Sequence, residues 1–263
     1  MLHIIKIGGN VIDKASDLKH FLSELAQIPE PKILVHGGGK LATDLSQRLG
    51  IESQMIDGRR VTDAETLKIV SMVYAGWINK HVVAQLQALG ASAIGLSGAD
   101  ADAIRATKRP PKNGIDYGFV GDVSPENVNT KHINGLLEAG LLPVFCPITH
   151  DGQGQLLNTN ADTIAASLAK ALSQTQAVKL IYCFEKRGVL SDANNEDSVI
   201  SFIDTATYAD LKTQGVVSGG MIPKLDNAFD ALAAGVHTVV IGQAQDIKIL
   251  ATAENTKGTN IRK

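Results

Sequence analysis

Two lysines stand where lysine is out of place. Lys6 interrupts the strand-like run Ile4-Ile5-Lys6-Ile7, directly before Gly8-Gly9-Asn10. An ammonium in such a run must snorkel to water, pair with a carboxylate, or hold an anion. An edge-strand lysine beside a flexible turn fits this segment equally well. Lys224 closes the run Ser218-Gly219-Gly220-Met221-Ile222-Pro223-Lys224. Pro223 suits the first position of a helix. That places Lys224 in the first turn, where the helix dipole disfavours a cation. A phosphate between the ammonium and the helix end would remove the conflict, and so would a solvated side chain pointing away.

Two further segments have the composition of ligand turns. His36-Gly37-Gly38-Gly39-Lys40 follows the apolar run Ile33-Leu34-Val35. Glycines at a helix start let bare backbone N–H groups approach an anion. The spacing matches neither the G-x-x-x-x-G-K-[ST] loop nor the G-x-G-x-x-G fingerprint. His36 reads as structural. Asn158-Thr159-Asn160-Ala161-Asp162 precedes an alanine-rich stretch. Asn and Asp cap helices well, but two asparagines and an aspartate within five residues exceed what a cap needs. Arg60, in Asp57-Gly58-Arg59-Arg60-Val61-Thr62-Asp63, could fork onto a carboxylate. A surface arginine fits that segment as well.

These residues describe a polyanion site. The chain lacks H-E-x-x-H, C-x-x-C and a recognisable Ser-His-Asp order, so hydrolytic, zinc and thiol redox chemistry are disfavoured. Phosphoryl transfer needs mainly positioning and charge neutralisation. With no evident general base, a carboxylate acceptor fits better than a hydroxyl, because it is already ionised at neutral pH.

The elements that must position these groups alternate between strand and helix. Ile4–Ile7, Ile33–Val35, Ile94–Leu96, Leu142–Phe145, Val178–Tyr182 and His237–Ile241 read as strands. Helical spacing runs through Leu18, Phe21, Leu22 and Leu25, then through Leu41, Leu45 and Leu49. Thr62-Asp63-Ala64-Glu65 resembles a capping box opening a long helix striped by Leu67, Val70, Tyr74 and Ile78. Further helices are predicted from about Ala161 to Leu172 and from near Pro223. The pattern predicts an α/β fold, a mostly parallel sheet covered by helices on both faces. Open sheets of this kind bind ligands beyond the carboxyl ends of their strands, where the glycine turns fall. The polar gap Ser173-Gln174-Thr175-Gln176 marks the expected lobe boundary, and Asp192–Ser198 reads as an exposed loop.

Bulk composition sets limits on partners. The 263 residues carry a formal net charge of −2, with 44% hydrophobic and 20% charged residues. That is ordinary globular composition and argues against a general nucleic-acid binder. No apolar run is long enough to span a bilayer and no signal-peptide pattern opens the chain, so a cytoplasmic protein without membrane partners is expected. Cys146 and Cys183 both lie in apolar runs and should be buried thiols.

Five segments together closely resemble the acetylglutamate kinases of the amino-acid kinase family. They are Ile5–Gly9, Val35–Gly39, Gly58–Thr62, Asn158–Asp162 and Gly219–Lys224, in that order and spacing. The resemblance implies an open three-layer αβα sandwich. Residues 1–173 would form the lobe for acyl-glutamate binding and dimerisation, and 174–263 the ATP lobe. It implies that Lys6 and Lys224 stabilise the transferring phosphoryl group while Asp162 orients both. Gly8, Gly9, Gly38 and Gly39 would approach phosphate and substrate oxygens. Arg60 would grip the substrate α-carboxylate and Asn158 another part of it. Glu185, Gly188, Gly219 and Gly220 would contact the nucleotide. Mg²⁺ would arrive with ATP, with no dedicated protein metal site. The implied product is an acyl phosphate in arginine biosynthesis.

The chain departs from that family's pattern in two places. Cys183-Phe184-Glu185-Lys186-Arg187-Gly188 replaces a short Ser/Thr-Asp-Val segment, with Glu185 standing for the aspartate. That variant, with Tyr117–Asp122, is similar to a subgroup that would take an N-succinyl rather than an N-acetyl group. The basic run Lys108-Arg109-Pro110-Pro111-Lys112 could serve a second carboxylate, although a solvated loop is the simpler expectation. The first strand begins close to Met1, without the N-terminal helix of the arginine-inhibited hexamers, so a homodimer with little arginine feedback is expected. Carbamate, aspartate, glutamate or UMP kinase activity are the alternatives within the fold. A non-catalytic nucleotide or arginine-pathway sensor is the alternative outside it.

Overall fold

Side-chain alternation along the first strand divides the molecule into layers. In β1 (Leu2–Ile7), Leu2 and Ile4 join one buried cluster, while Ile5 and Ile7 join another on the opposite face. The computed structural model describes residues 1–262 apart from Ser53, Asp57, Gly58, Ala193, Ser218, Gly220 and 254–256, with Pro223 described by its backbone only.

The remaining strands are β2 (Lys32–His36), β3 (Met55–Ile56), β4 (Arg59–Arg60), β5 (Ala93–Leu96), β6 (Thr107–Lys108), β7 (Val120–Asp122), β8 (Leu142–Phe145), β9 (Ile148–His150), β10 (Leu156–Thr159), β11 (Val178–Phe184), β12 (Phe202–Ile203), β13 (Thr238–Gln243) and β14 (Thr259–Ile261). The α-helices are α1 (Gly9–Asp13), α2 (Ala15–Ala26), α3 (Gly39–Arg48), α4 (Ala64–Ser71), α5 (Asn79–Ala88), α6 (Thr130–Glu138), α7 (Ala161–Leu172), α8 (Thr205–Thr213), α9 (Met221–Ala233) and α10 (Ile247–Thr252).

Eight strands form one sheet in the order β12-β14-β13-β11-β1-β2-β8-β5. Every pair is parallel except β13 with β14. One face packs against α2, α5 and α10 through residues such as Phe21, Val82 and Leu250. The other packs against α6, α7 and α9 through Ile133, Leu168 and Leu225. This is the three-layer αβα sandwich expected. Each fully buried Leu or Ile in these layers contributes roughly 1.5–3 kcal/mol. Both cysteines are buried, and burial pushes the Cys146 thiol up to about 12.

The strand order places β1 between two halves that run in opposite directions. β2, β8 and β5 lie on one side, and β11, β13 and β14 on the other. Such a reversal opens a crevice at the carboxyl ends of the strands. The 173/174 gap falls between α7 and β11, and one uninterrupted ladder joins β1 to β11 across it.

Three local expectations need correction. The α4 cap is Asp63, whose carboxylate accepts from the Thr66 N–H at 2.8 Å. Thr62 instead donates to the Arg60 carbonyl at 3.0 Å, because its backbone is engaged with the strand-like segment around Gly118. α9 starts at Met221, so Pro223 is its third residue and Lys224 its fourth. In α3 the fully buried positions are Ala42 and Ser46, while Leu49 is exposed beyond the helix end. The Leu67, Val70, Tyr74 and Ile78 stripe is buried as expected. Met72–Ile78, however, forms wide π turns continuous with α4 and α5.

Sequence periodicity also passed over a second sheet, β6-β7-β10-β9, whose strands are two to four residues long. It crosses the crevice end of the molecule. The basic run after Lys108 is therefore not simply a solvated loop: the Arg109 side chain is only 13% exposed.

His36 ends β2 on the α5 face. Its Nδ1–H donates to the Gly37 carbonyl at 2.8 Å, and its Nε2 accepts from Asn79 at 3.2 Å. Burial lowers its pKa to about 4, the Gly37 bond opposing weakly. The unfolded chain therefore binds a proton between about 6.5 and 4 that the folded chain refuses. Stability is complete above that window and falls as pH drops through it, by up to about 3 kcal/mol from this residue. Denaturant unfolding at pH 7.5 and 4.5 should show the loss, and His36→Asn should show less of it. Equal acid dependence in both proteins would reject the assignment.

Candidate active site

Strand parity aims Lys6 at the α7 and α9 face, because it follows Leu2 and Ile4 at a spacing of two. The strand is central, with Lys6 opposite Tyr182 on one side and Val35 on the other. An edge lysine is therefore ruled out, and at 7% exposure its ammonium cannot be solvated freely. It meets Asp162, in the first turn of α7, with Nζ 2.8 Å from Oδ1. Lys224 reaches the same carboxylate from α9, with Nζ 3.2 Å from Oδ2.

The anion that offsets Lys224 near its helix start is thus a side chain of the protein. Burial pushes the Asp162 carboxyl up, but Lys6 and Lys224 outweigh it and hold the group below its ordinary range. Burial lowers the Lys224 pKa, with Asp162 opposing and Lys6 reinforcing. Two ammoniums against one carboxylate leave one positive charge for a ligand. The Phe184 ring lies beside both, 4.4 Å from Lys224 Nζ and 5.5 Å from Lys6 Nζ by its centroid.

The glycine turns close one wall. The loop after β1 and the loop after β2 touch: a Cβ on Gly37 would lie 3.6 Å from the Gly9 nitrogen. Gly38 has φ +154°, and a Cβ there would fall 2.3 Å from Ile78 Cδ1 and 3.1 Å from the Tyr74 ring. Only glycine fits. Gly38 and Gly39 begin α3, so its first N–H groups face the crevice.

These groups surround a cavity of ≈ 230 Å³. Lys6, Gly9, Gly37, Gly38, Gly39, Arg60, Asn158 and Asp162 all line it, as do Arg59 and Arg109. Arg60 is 7% exposed; its Nη2 donates to the Gly39 carbonyl at 2.8 Å and to Thr43 Oγ1 at 2.7 Å. Its Nη1 is buried without an acceptor. Asn158, on β10, donates to Thr62 Oγ1 at 3.0 Å, which ties the small sheet to the Arg60 segment. Asn160 is the α7 cap, accepting from the Asp162 and Thr163 N–H groups.

In the sequence Arg109 reads as part of a basic run that could serve a second carboxylate, with a solvated loop preferred; the structure places it in the cavity wall. It is clamped by Asp122, which takes Nε at 3.0 Å and also Nη2, and it lies over the Tyr117 ring at 5.4 Å. Its Nη1 is likewise buried without an acceptor. The signal available was Arg109 and Asp122 at the two ends of one basic-acidic segment, readable only once β6 and β7 pair.

The expected nucleotide contacts are more dispersed. Gly8 precedes α1 and is not among the residues that line the cavity. Glu185 is exposed at the carboxyl end of β11 and lines a separate cavity of ≈ 100 Å³ with Asn10, Lys14, Phe184 and Gln243. Gly188 is buried, where a Cβ would approach Thr259 Oγ1 to 2.7 Å, and it lines neither cavity. Gly219, with φ +54°, is exposed before α9. Gly220 lies outside the described residues. Among the described residues no group of three His, Cys, Asp or Glu could hold a metal ion.

Known proteins resemble this chain over its whole length. The protein called acetylglutamate kinase in Cytophaga hutchinsonii is 56% identical over 260 residues, covering 99% of this chain and 98% of that one. Its namesake in Bacteroides thetaiotaomicron is 52% identical, covering 100% and 98%. Among solved structures, the N-acetylglutamate synthase of Neisseria gonorrhoeae superposes with a TM-score of 0.85 at 20% identity. That likeness shows the fold alone; it covers 100% of this chain and 59% of that one. A sequence model described as "Amino acid kinase family" matches residues 1–243, and with such relatives the chain belongs to that family.

Proposed function

We propose that the chain is an acetylglutamate kinase of arginine biosynthesis. It moves the γ-phosphoryl group of ATP onto the side-chain carboxylate of N-acetyl-L-glutamate. A carboxylate oxygen forms the new P–O bond, the bond to the β-phosphate oxygen breaks, and ADP leaves. The observation that carries this reading is the convergence of Lys6 and Lys224 on Asp162 beside the glycine wall and Arg60. The relatives' shared name supports the choice of acceptor.

Each residue has a role that its geometry can perform. Lys6, Lys224 and the Gly9, Gly38 and Gly39 backbones neutralise phosphoryl oxygens as an anionic acceptor approaches. Asp162 orients the two ammoniums. Arg60 holds the α-carboxylate through its free Nη1, and Asn158 a further polar group of the acceptor. Gly8, Glu185, Gly188, Gly219 and Gly220 belong to the nucleotide side; all but Gly8 fall in 174–263, which supports 174–263 as the ATP lobe and 1–173 as the acceptor lobe. The donor set of the site is cationic and backbone N–H. Mg²⁺ therefore fits best as an ion carried by the ATP phosphates and water.

A homodimer is part of the same reading, supported by exposed Met72 and Trp77 on the π-turn segment. Light scattering giving a monomer would overturn it. No described helix is long and apolar enough to cross a membrane.

Arg109 favours a second reading of the acyl group. Arg109 lines the same cavity and has a buried Nη1 without an acceptor, which suits an acceptor with an extra carboxylate, such as N-succinylglutamate. One assay tests all of this: hydroxylamine trapping of the acyl phosphate across N-acetylglutamate, N-succinylglutamate, glutamate, aspartate and carbamate, with ADP release scored for UMP. The expected result is a trapped product from the N-acyl-glutamates, and the ratio of kcat/KM decides between acetyl and succinyl. Turnover of UMP, carbamate or aspartate alone would refute the proposal, and ATP binding without acyl phosphate would indicate a sensor.

A further inference from the structure

Phe184 ends β11 with the same parity as Tyr182, and so faces the α7 and α9 side, as Lys6 does. Its ring stacks on Tyr182 at 6.4 Å, with the planes 14° apart, which fixes the direction of its face. Both site ammoniums lie near that face, at 4.4 and 5.5 Å from the centroid. Asp162 holds the same two ammoniums through its two carboxylate oxygens. The cations are therefore held between one anion and one neutral π face.

We propose that Phe184 is a positioning residue for phosphoryl transfer, holding the Lys224 and Lys6 ammoniums in place through its ring face. The inference rests on the assignment of those lysines to the reaction. A ring quadrupole attracts a cation without adding net charge or a hydrogen-bond acceptor. A second carboxylate in that place would attract the lysines more strongly. It would also cancel the one surplus positive charge and repel the incoming phosphoryl oxygens. A small aliphatic side chain would leave the ammoniums oriented by Asp162 alone. The ring thus stabilises buried cations while leaving their N–H groups free for a ligand. Lys224, the nearer of the two and partly buried, gains most from it.

The test is made on the full chain with saturating ATP. Phe184→Leu should lower kcat roughly tenfold, the scale of one desolvated cation–π contact. KM for the acyl-glutamate should stay within about twofold, because the ring lies apart from the residues proposed to grip it. Phe184→Tyr, which keeps the ring face, should recover most of the lost rate.

A purely structural role would not move the alkaline limb of the pH–rate profile. The ring stabilises the ammonium form, so its loss should shift that limb to lower pH. The charged groups facing Lys224 are Asp162 on α7 and Lys6 on β1, and the buried Tyr182 phenol on β11 senses Asp162. All are unchanged in the variant. If Phe184→Leu does not fold, Phe184→Met takes its place in the same measurements. An unmoved alkaline limb, or a tyrosine variant as slow as the leucine one, overturns the inference. Lys224→Ala run alongside separates the two questions. Full activity there would defeat the lysine assignment itself, whereas a slow Lys224→Ala with a normal Phe184→Leu would defeat only the role of the ring.

Discussion

Lys224→Ala and Lys6→Ala each lower kcat by at least ~10²-fold, the usual cost of removing a preorganised electrostatic stabiliser. Each substitution does more than delete one cation. With either lysine gone, Asp162 neutralises the other, and the surplus positive charge at the site disappears. The phosphoryl oxygens then meet a lysine–aspartate pair with no net charge, and only the glycine N–H groups remain to neutralise them. The two variants should therefore be similarly slow, and the double variant slower again, because it leaves Asp162 as an unpaired negative charge facing the phosphoryl oxygens. Single-turnover kinetics separate this loss from product release. A Lys6→Ala enzyme with unchanged kcat would show that the reaction takes place elsewhere.

Arg60→Ala should act on the other parameter. Arg60 lines the cavity with a buried Nη1 that has no acceptor, and it is proposed to hold the α-carboxylate, so KM for the acyl-glutamate should rise ~10–100-fold. The change in kcat should be smaller. Some fall in kcat is still expected, because Nη2 braces the Gly39 carbonyl and Thr43, and that brace shapes the glycine wall. Arg60→Lys should rescue poorly, since one ammonium cannot reproduce the planar fork that serves both the loop and the ligand. A variant with normal KM would place the α-carboxylate away from Arg60.

The central sheet was legible in the sequence because buried parallel strands read as continuous apolar runs. Ile33–Val35 is such a run, Ile4–Ile7 and Val178–Tyr182 are such runs each interrupted by one lysine, Lys6 and Lys179, and each lies within its observed strand. Lys6 was conspicuous because it also stands just before a glycine turn, whereas Lys179, at the start of its run, donates to the Ala251 carbonyl at 3.1 Å. What sequence could not supply was the partner. Asp162 lies 156 positions beyond Lys6 (162 − 6), and nothing local announces that the two meet at 2.8 Å.

The small sheet stayed hidden because its strands are too short for period-two alternation to register. Arg109 disappeared with it into what looked like a basic loop. The capping box at Thr62 failed for a related reason. Two adjacent residues, Thr62 and Asp63, could each have capped the helix, and a long-range pairing with Gly118 decided which one did.

The π turns at Met72–Ile78 carry a consequence for how such a site can change over time. Tyr74 and Ile78 form the backstop against Gly38, and they do so from a helix wound wider than its two neighbours. A π turn is an α-helix holding one residue more than its length requires. Point substitutions alter the size of that backstop but not its direction. A one-codon deletion anywhere in the span would let the helix tighten and would swing Tyr74 and Ile78 out of step with the loop. The shape of the glycine wall is therefore inherited as a count of residues as much as a choice of them.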